Sequence, residues 1–575
     1  MDRRLLWPDW RDAWIVYEDA DVVVVDKPVH VSSQAANPER PDDVVTRLKR
    51  WFDGRGADSY LGVHQRLDRD TSGLLVFARR PEANARLAAQ FEGRTVAKKY
   101  IACVSNWPRG RDRMTLRNAV ARDPRVPGAM RVVASGAPVA KEAVTRVRVV
   151  ARNNGRALLE LHLETGRTHQ ARVQLAHVGA PIAGDVLYQG ERASRLMLHA
   201  SALAFEHPAT GQRVHFEAVT PPELEGWLAR GDMRQGVYDD DLALARSLDR
   251  AVERRWALGR SDTGPRATTA FRLVNEEGDG LPGLAVDVYG SWLVAQLYGD
   301  EAAPRAWADQ ARRERLLDRL HALRFDGIYL KVRPKQANTL VDTRRDELAP
   351  RLPVRGAPAP DELVILEDGA PFLVRLGDGL STGIYLDQRA NRRRIREIAA
   401  GQSVANLFSY TCAFSVAAAL GGSRRIVSVD VSAAALERGR ENMGLARVLV
   451  PPDHAFVADD VFAWLARAAR RGDRFDIVVL DPPSYSTTKR GRFVAESDYR
   501  QLAAGALAIV ARGGRLLACT NHRGISRARF RRILFDASRD AKRDVVQVKD
   551  LPGTPDFPVV AGEPHMKSAL MTLRP

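Results

Sequence analysis

Three polar clusters in the first third of this chain contain residue types that could do chemistry together. The first is His64-Gln-Arg-Leu-Asp-Arg-Asp-Thr-Ser-Gly-Leu-Leu-Val-Phe-Ala78, where a His/Arg/Asp/Thr run passes through a Thr-Ser-Gly turn into an apolar strand and frames one aspartate, Asp68. The second is Val96-Ala-Lys-Lys-Tyr100 and the third is Glu164-Thr-Gly-Arg-Thr-His-Gln-Ala-Arg172. Most single aspartates are solvated loop residues. A carboxylate in a water-poor pocket is driven towards its neutral form unless a cation compensates, and a guanidinium can grip it with two hydrogen bonds. The arginine-bearing third cluster offers such a cation. A second constellation lies beyond residue 400, where apolar runs end on polar residues: Asn406-Leu-Phe-Ser-Tyr-Thr411, Asp430, Asp459-Asp460 and Asp481-Pro-Pro-Ser-Tyr485. In a doubly wound sheet, ligands sit at the carboxyl ends of the strands. An acid closing the second strand can hold both hydroxyls of a ribose, a device that NAD-binding sheets share. The Asp-Pro-Pro run discriminates, because two prolines stiffen the loop and leave backbone carbonyls free to face a planar base.

Taken in order, the first three clusters resemble the RluA-type pseudouridine synthases, whose signature is His-Arg-Leu-Asp-x-x-Thr-Ser-Gly, a Lys-x-Tyr, and Arg-Thr-His-Gln-x-Arg. Gln65, an extra residue between His64 and Arg66, is the one visible departure in the first cluster. The resemblance implies an α+β domain that isomerises uridine in RNA, with no metal and no organic cofactor. The base–sugar bond breaks, the base turns, and it rejoins through carbon. Asp68 is then the catalytic carboxylate, acting on the ribose or the uracil ring. Tyr100 packs against the uracil and moves a proton in the second half of the reaction. Arg167 is expected to be the cation that keeps Asp68 ionised, with His169 and Arg172 ordering the site or contacting phosphate and His64 structural. The target base must leave its stack, at a cost of a few kcal/mol. Many relatives carry a small RNA-binding domain ahead of the synthase; so few residues precede Asp21-Val-Val-Val-Val-Asp-Lys-Pro28 that this module is expected to be absent.

The second constellation resembles class I S-adenosylmethionine-dependent methyltransferases. More narrowly, it resembles the large-subunit ribosomal RNA methyltransferases that make 5-methylcytosine or 7-methylguanine, from about Phe271 to the C-terminus. Phe271-Arg-Leu-Val-Asn and Gly280-Leu-Pro-Gly-Leu-Ala-Val-Asp-Val-Tyr-Gly290 look like that family's middle domain. The resemblance implies a cofactor cradle made by Thr382, Tyr385, Asp387 and Arg389. It puts Asn406, Phe408, Ser409, Tyr410 and Thr411 around the methionine part, Asp430 at the ribose, Asp460 near the adenine and Asp481 where methyl group and base meet. The family has glycine where this chain has Cys412, which costs about 1–2 kcal/mol if that backbone is left-handed. Cys519, in Ala-Cys-Thr-Asn-His, stands where 5-methylcytosine enzymes place an attacking cysteine. Guanine N7 needs no such catalyst, the segment after Asp481 resembles the guanine enzymes more, and a buried strand-end cysteine is often only packing. Both bases stay open at this point.

The surrounding elements must position these groups. The 575 residues suggest several domains. Short β-type runs and one helical pattern from Ala83 to Phe91 read as an α+β synthase domain over residues 1–228, followed by a helical linker over 229–265 with a Ser-Asp-Thr-Gly-Pro break at 261–265. A β-rich α+β middle domain is expected over 266–360. Over 361–575, apolar strands alternating with helices read as an α/β, Rossmann-like, doubly wound parallel sheet. A net charge of +17 favours a polyanionic partner. No apolar run reaches bilayer-spanning length, and the N-terminus lacks a signal-peptide core, which argues against membranes. Three dispersed cysteines do not make a disulfide or zinc framework, and a cytoplasmic location fits. Basic runs at Lys331–Lys335 and Arg392–Arg394 could track phosphates, although such runs are usually solvated faces. The expected function is a two-chemistry RNA-modifying enzyme acting on large-subunit (23S) ribosomal RNA, with transfer RNA a second substrate class for the synthase. The alternatives are one active site with the other domain as an RNA platform, or a ribosome-assembly factor without catalysis.

Overall fold

In the computed structural model, which describes residues 2–34, 42–232, 236–299, 309–334, 346–447, 454–483, 485–488, 491–559 and 564–575, the chain divides into two units, residues 2–257 and 258–575. The first unit is built on an eleven-stranded mixed sheet. Its strands are β1 (Ile15–Glu18), β2 (Val22–Lys27), β3 (Gly62–Val63), β4 (Ser72–Ala78), β5 (Ala97–Ser105), β6 (Arg113–Arg122), β7 (Met130–Val133), β8 (Lys141–Asn153), β9 (Arg156–Leu163), β10 (Leu198–Glu206) and β11 (Arg213–Glu217). They lie in the order β1-β2-β4-β10-β5-β9-β8-β6-β7, with β3 beside β4 and β11 beside β10. The four valines of β2 and every residue of β4 are buried, so the centre of the sheet is covered on both faces. Helix Val44–Gly54 covers one face with Val44, Leu48 and Phe52, and its first turn is capped by Asp43, which accepts from the Thr46 N–H at 3.1 Å.

β4 delivers the Asp68 loop into the sheet, and its glycine explains the Thr-Ser-Gly turn. Gly73 has φ +116°, and a Cβ there would lie 2.3 Å from the Ala200 carbonyl oxygen of β10. Neither the angle nor the space admits a side chain. Gly73→Ala should therefore cost roughly 2–4 kcal/mol, read as a lower Tm in thermal unfolding. A Tm equal to that of the unmodified protein would show that β4 and β10 part freely.

Helix Asp241–Arg254 falls in the stretch the sequence suggests as a linker, yet it belongs to the first unit. The Trp7 indole donates to the Val252 carbonyl at 2.8 Å, and the Trp256 indole donates to the Pro8 carbonyl at 2.7 Å. Arg47 ion-pairs with Glu253 and lies over the Trp256 ring. These partners are far apart in sequence, so helical periodicity alone does not reveal them.

The second unit starts with a five-stranded sheet, in order β12 (Ala270–Asn275), β13 (Leu284–Tyr289), β14 (Trp292–Gly299), β15 (Gly327–Pro334) and β16 (Arg355–Gly356). β14 and β15 are parallel, as the intervening helix Gln310–His321 allows. A hairpin of β17 (Leu363–Glu367) and β18 (Ala370–Val374) follows. The seven-stranded sheet then uses β19 (Ser403–Leu407), β20 (Arg425–Asp430), β21 (Ala455–Ala458), β22 (Phe475–Leu480), then, beyond a small hairpin of β23 (Tyr485–Thr488) and β24 (Gly491–Val494), β25 (Val510–Thr520), β26 (Val545–Leu551) and β27 (Lys567–Leu573). Its order is β21-β20-β19-β22-β25-β27-β26. β21 to β25 pair in parallel and β27 is antiparallel. The order reverses between β19 and β22, the switch point of a doubly wound sheet. One apolar cluster joins Tyr289, Val294 and Tyr329 to Phe372, Val404, Val416 and Ile477, so a shared core crosses the boundary expected near residue 360. Among the described residues, no helix is long and apolar enough to cross a membrane.

Candidate active sites

Asp68 lies in the loop between β3 and β4, in a turn closed by the Thr71 N–H on the Asp68 carbonyl at 3.0 Å. Lys27, the last residue of β2, and residues just after it fix this loop. The buried Lys27 ammonium donates to the carbonyls of Pro28, Val31 and Arg69 at 2.9, 2.6 and 3.1 Å. Burial pulls that ammonium down to about 7, with Asp70 the main opposing charge. Ser33 accepts from the Leu67 N–H and donates to the Leu67 carbonyl, both at 2.9 Å. His30 meets Asp70 at 2.9 Å.

The cation on Asp68 is Arg172, which corrects the expectation of Arg167. Arg172 stands in the first turn of helix Gln170–His177. Its Nη1 donates to Asp68 at 3.0 Å, while Nε and Nη2 donate to the two oxygens of Asp185 at 2.7 and 2.9 Å. Burial works against that charge, but Asp185 and Asp68 outweigh it and raise the guanidinium pKa further. Arg167 instead donates from Nε to the Glu142 carbonyl at 2.9 Å. The backbone explains the difference: His169, at φ 54°, ψ 23°, turns the chain between the two arginines. His169 lies 3.7 Å from Asp68 through Nε2 and 3.0 Å from the Tyr188 hydroxyl through Nδ1. Burial holds the His169 pKa down, with Asp68 opposing. Tyr100 is brought to the same place; burial, and then the negative Asp68, push its hydroxyl well above the ordinary range. Asp68 itself keeps 27% of its side chain exposed, so an incoming nucleotide can reach it. Asp185 and Tyr188 were missed, although Gly-Asp-x-x-Tyr is legible at 184–188.

Arg172→Lys, which keeps a charge but loses the fork between two carboxylates, should lower turnover at Asp68 by about 100-fold or more. Arg167→Ala should leave it within about threefold, since that side chain holds only one backbone carbonyl. Nucleoside mass spectrometry of treated RNA reads both. The reverse ranking would restore Arg167 as the partner.

The second site is a cavity of about 840 Å³ at the carboxyl ends of β19, β20 and β22. Thr382, Tyr385, Asp387, Phe408, Tyr410, Asp430, Asp460 and Asp481 all line it, as expected. Asp430 closes β20 and accepts from the N–H groups of Tyr410 at 2.8 Å and Ser432 at 2.9 Å. Burial raises its pKa, and those backbone donors oppose the rise. Asp460 caps helix Val461–Arg471, accepting from the Ala463 N–H at 3.0 Å. A half-buried carboxylate for a hydroxyl pair, with Val431, Phe462 and Pro482 as apolar walls for a planar ring, fits a nucleoside-bearing methyl donor.

The cavity omits four expected cradle residues, for one physical reason each. Phe408, Tyr410 and Cys412 have φ of 58°, 48° and 61°. In this alternation Phe408 and Tyr410 face the cavity while their neighbours build the loop. Asn406 donates to the Ser415 hydroxyl at 2.9 Å, Ser409 is tied through its N–H to the Val429 carbonyl at 3.0 Å, and Thr411 donates to the Gly383 carbonyl at 2.6 Å. Arg389 is buried in an ion pair with Asp556. Cys412 is indeed left-handed, and its buried thiol sits where Gly439 leaves room.

Asp481, at the end of β22, accepts from the Gln388 amide at 2.8 Å. Burial, then the neighbouring Asp387 charge, raise it to about 7, against Gln388 and Arg392. Cys519 is fully buried and is not one of the cavity's walls. Its sulfur lies 3.8 Å from Gln388 Oε1 and 3.7 Å from Asn391 Nδ2, so Gln388 bridges thiol and carboxylate. Burial, and then Asp481, push the thiol well above its usual range. The basic run at 392–394 is largely spent on ion pairs: Arg392 is forked on Glu367 and Arg393 on Asp368. Lys335, and Ser484, Lys489 and Arg490 after Asp481, lie outside the described residues.

Comparison with known proteins finds a matching family in each unit. The family described as S-adenosylmethionine-dependent methyltransferase matches residues 350–572. The family described as RNA pseudouridylate synthase matches residues 21–177. YwbD of Bacillus subtilis, provisionally named a ribosomal RNA large subunit methyltransferase, is 34% identical over 343 residues, covering 59% of this chain and 81% of that protein. Ribosomal RNA large subunit methyltransferase I of Salmonella newport is 33% identical over 357 residues, covering 59% and 83%. The crystal structure of SMU.776, provisionally a methyltransferase, complexed with SAH, superposes with a TM-score of 0.50 at 26% identity, covering 64% of this chain and 87% of that one.

Proposed function

We propose, for a chain that belongs to the S-adenosylmethionine-dependent ribosomal RNA large subunit methyltransferases and carries an RNA pseudouridylate synthase domain ahead of that part, that one polypeptide performs two separate chemistries on large-subunit ribosomal RNA. The first unit isomerises uridine to pseudouridine and the second methylates a base. The observation that carries this reading is that each unit has its own carboxylate held for work: Asp68 on Arg172, and Asp481 on Gln388 beside a nucleoside-sized cavity. An RNA-holding protein needs neither.

At the first site, a flipped-out uridine meets Asp68, which Arg172 holds and aims through its hydrogen bond. The N1–C1′ bond breaks and a C5–C1′ bond forms, while the C5 proton passes to solvent and N1 gains one. Tyr100 lies against the ring and moves the C5 proton. Arg172 is itself held by Asp185, so it supports Asp68 without rotating away. At the second site, Asp430 holds the ribose hydroxyls of the donor, and Asp460 and the apolar walls hold its adenine side. S-adenosylmethionine, when bound, supplies an electrophilic methyl group. Asp481 hydrogen-bonds or deprotonates the base presented there. The three free cysteines suit a reducing cytoplasm.

The test is purified protein on unmodified large-subunit RNA, with and without S-adenosylmethionine, followed by nucleoside mass spectrometry. Pseudouridine should form in both arms and a methylated base only with the donor. If neither forms, the reading is wrong. Cys519 separates the two bases. A 5-methylcytosine product requires its thiol to attack carbon 6 once Gln388 swings aside, so Cys519→Ala abolishes it, whereas 7-methylguanine formation survives that substitution.

A further inference from the structure

The cavity of the second site has another wall, formed by the five-stranded sheet and distinct from the strand ends that carry Asp430 and Asp481. Four adjacent strands of the five-stranded sheet present polar side chains to it, among them Arg272 from β12, Asp287 from β13, Gln296 from β14 and Arg333 from β15. These side chains are hydrogen-bonded in series across the sheet. Arg272 Nε and Gln296 Nε2 donate to the two oxygens of Asp287, and Arg333 Nε donates to Gln296 Oε1. We infer that this wall holds a phosphate of the target nucleotide, with Arg333 as its ligand, while the base of that nucleotide reaches Asp481. The inference rests on the RNA methyl-transfer reading above.

Charge divides the cavity. The wall at the strand ends carries the carboxylates of Asp430, Asp460 and Asp481, which suits ribose hydroxyls and a sulfonium. On the sheet wall Arg272 is matched by Asp287 and Asp387, whereas Arg333, among the described residues, is bonded only to neutral oxygens and is the cation left to meet an anion. A free donor completes the case. Arg333 Nε is held by Gln296 and Nη2 donates to the Leu380 carbonyl at 2.7 Å, so the fork is fixed in place. Nη1 has no hydrogen-bond partner among the described residues, although the side chain lines the cavity. A pre-positioned guanidinium nitrogen facing a cavity binds a phosphate oxygen at little entropic cost. Arg272 is committed to Asp287 and Asn275 and serves as the anchor of the series.

The test uses the full chain with unmodified large-subunit RNA and two variants, Arg333→Gln and Arg333→Lys. The Gln variant should raise KM for RNA in methyl transfer about tenfold, with kcat within about twofold, and should lower the slope of log KM against log salt by about one. The Lys variant should keep that slope and recover only part of the KM. Affinity for S-adenosylmethionine by calorimetry, and pseudouridine formation, should not change, which also establishes that both variants are folded. An unchanged KM and salt slope in Arg333→Gln overturns the inference, as does an equal loss of donor affinity, which would put Arg333 on the cofactor. Absence of methyl transfer to RNA by the unmodified protein would be a different result, because it removes the function on which the inference stands.

Discussion

Asp68→Asn abolishes pseudouridine formation, by a factor on the order of 10⁴ or more, and leaves methyl transfer at the level of the unmodified protein. The size follows from the role: an amide cannot act as the carboxylate at the sugar–base junction, and no other described side chain takes that position. The fold should survive, because the turn at Asp68 is held through backbone groups by Lys27, Ser33 and Thr71. Arg172 also stays forked on Asp185 when Asp68 is neutral, so no buried cation is abandoned. Nucleoside mass spectrometry on one RNA preparation reads both products. Pseudouridine formed at more than about a tenth of the normal rate would remove Asp68 from the chemistry. Simultaneous loss of the methylated base would show that the two activities are coupled through the chain.

The sequence carries the residue types of these sites more faithfully than their directions. Asp68 and Tyr100 were legible because the polar run around Asp68 enters an apolar strand through a glycine that backbone crowding at Ala200 demands. The choice between Arg167 and Arg172 was not legible, since both stand in one cluster and only the left-handed His169 separates their courses. The acids ending β20 and β22 were legible because alternating apolar strands announce a parallel sheet and its carboxyl edge. The neighbours of Tyr410 were not, because alternate left-handed residues send Phe408 and Tyr410 into the cavity and Ser409 and Thr411 into loop-building contacts. Arg389 reads as a cofactor ligand until Asp556, from far down the chain, is seen to neutralise it. The same holds for the helix Asp241–Arg254, whose indole partners lie near the N-terminus. Long-range pairings of this kind leave no periodicity behind.

Methyl transfer gains a steep pH dependence from Asp481. Burial and the Asp387 charge raise its carboxyl to about 7, whereas the Gln388 amide and Arg392 pull it down. A raised value means the proton is lost late, so the ionised form that can accept a proton or a hydrogen bond from the base accumulates only as pH rises through that value. kcat/KM, which reports the free enzyme, should therefore fall about tenfold per pH unit below about 7 and level off above it. Two substitutions should move the midpoint in opposite directions. Asp387→Asn removes a like charge and shifts it to lower pH. Gln388→Leu removes the donor that stabilises the carboxylate and shifts it to higher pH. Asp481→Asn should lower the rate by about 10²–10⁴-fold and flatten the profile. Pseudouridine formation by the same preparations serves as the internal control, since none of these residues belongs to the first unit. A methyl-transfer profile that is flat between pH 5.5 and 8, or the two substitutions shifting it the same way, would mean that Asp481 holds the cavity together electrostatically and exchanges no proton with the base.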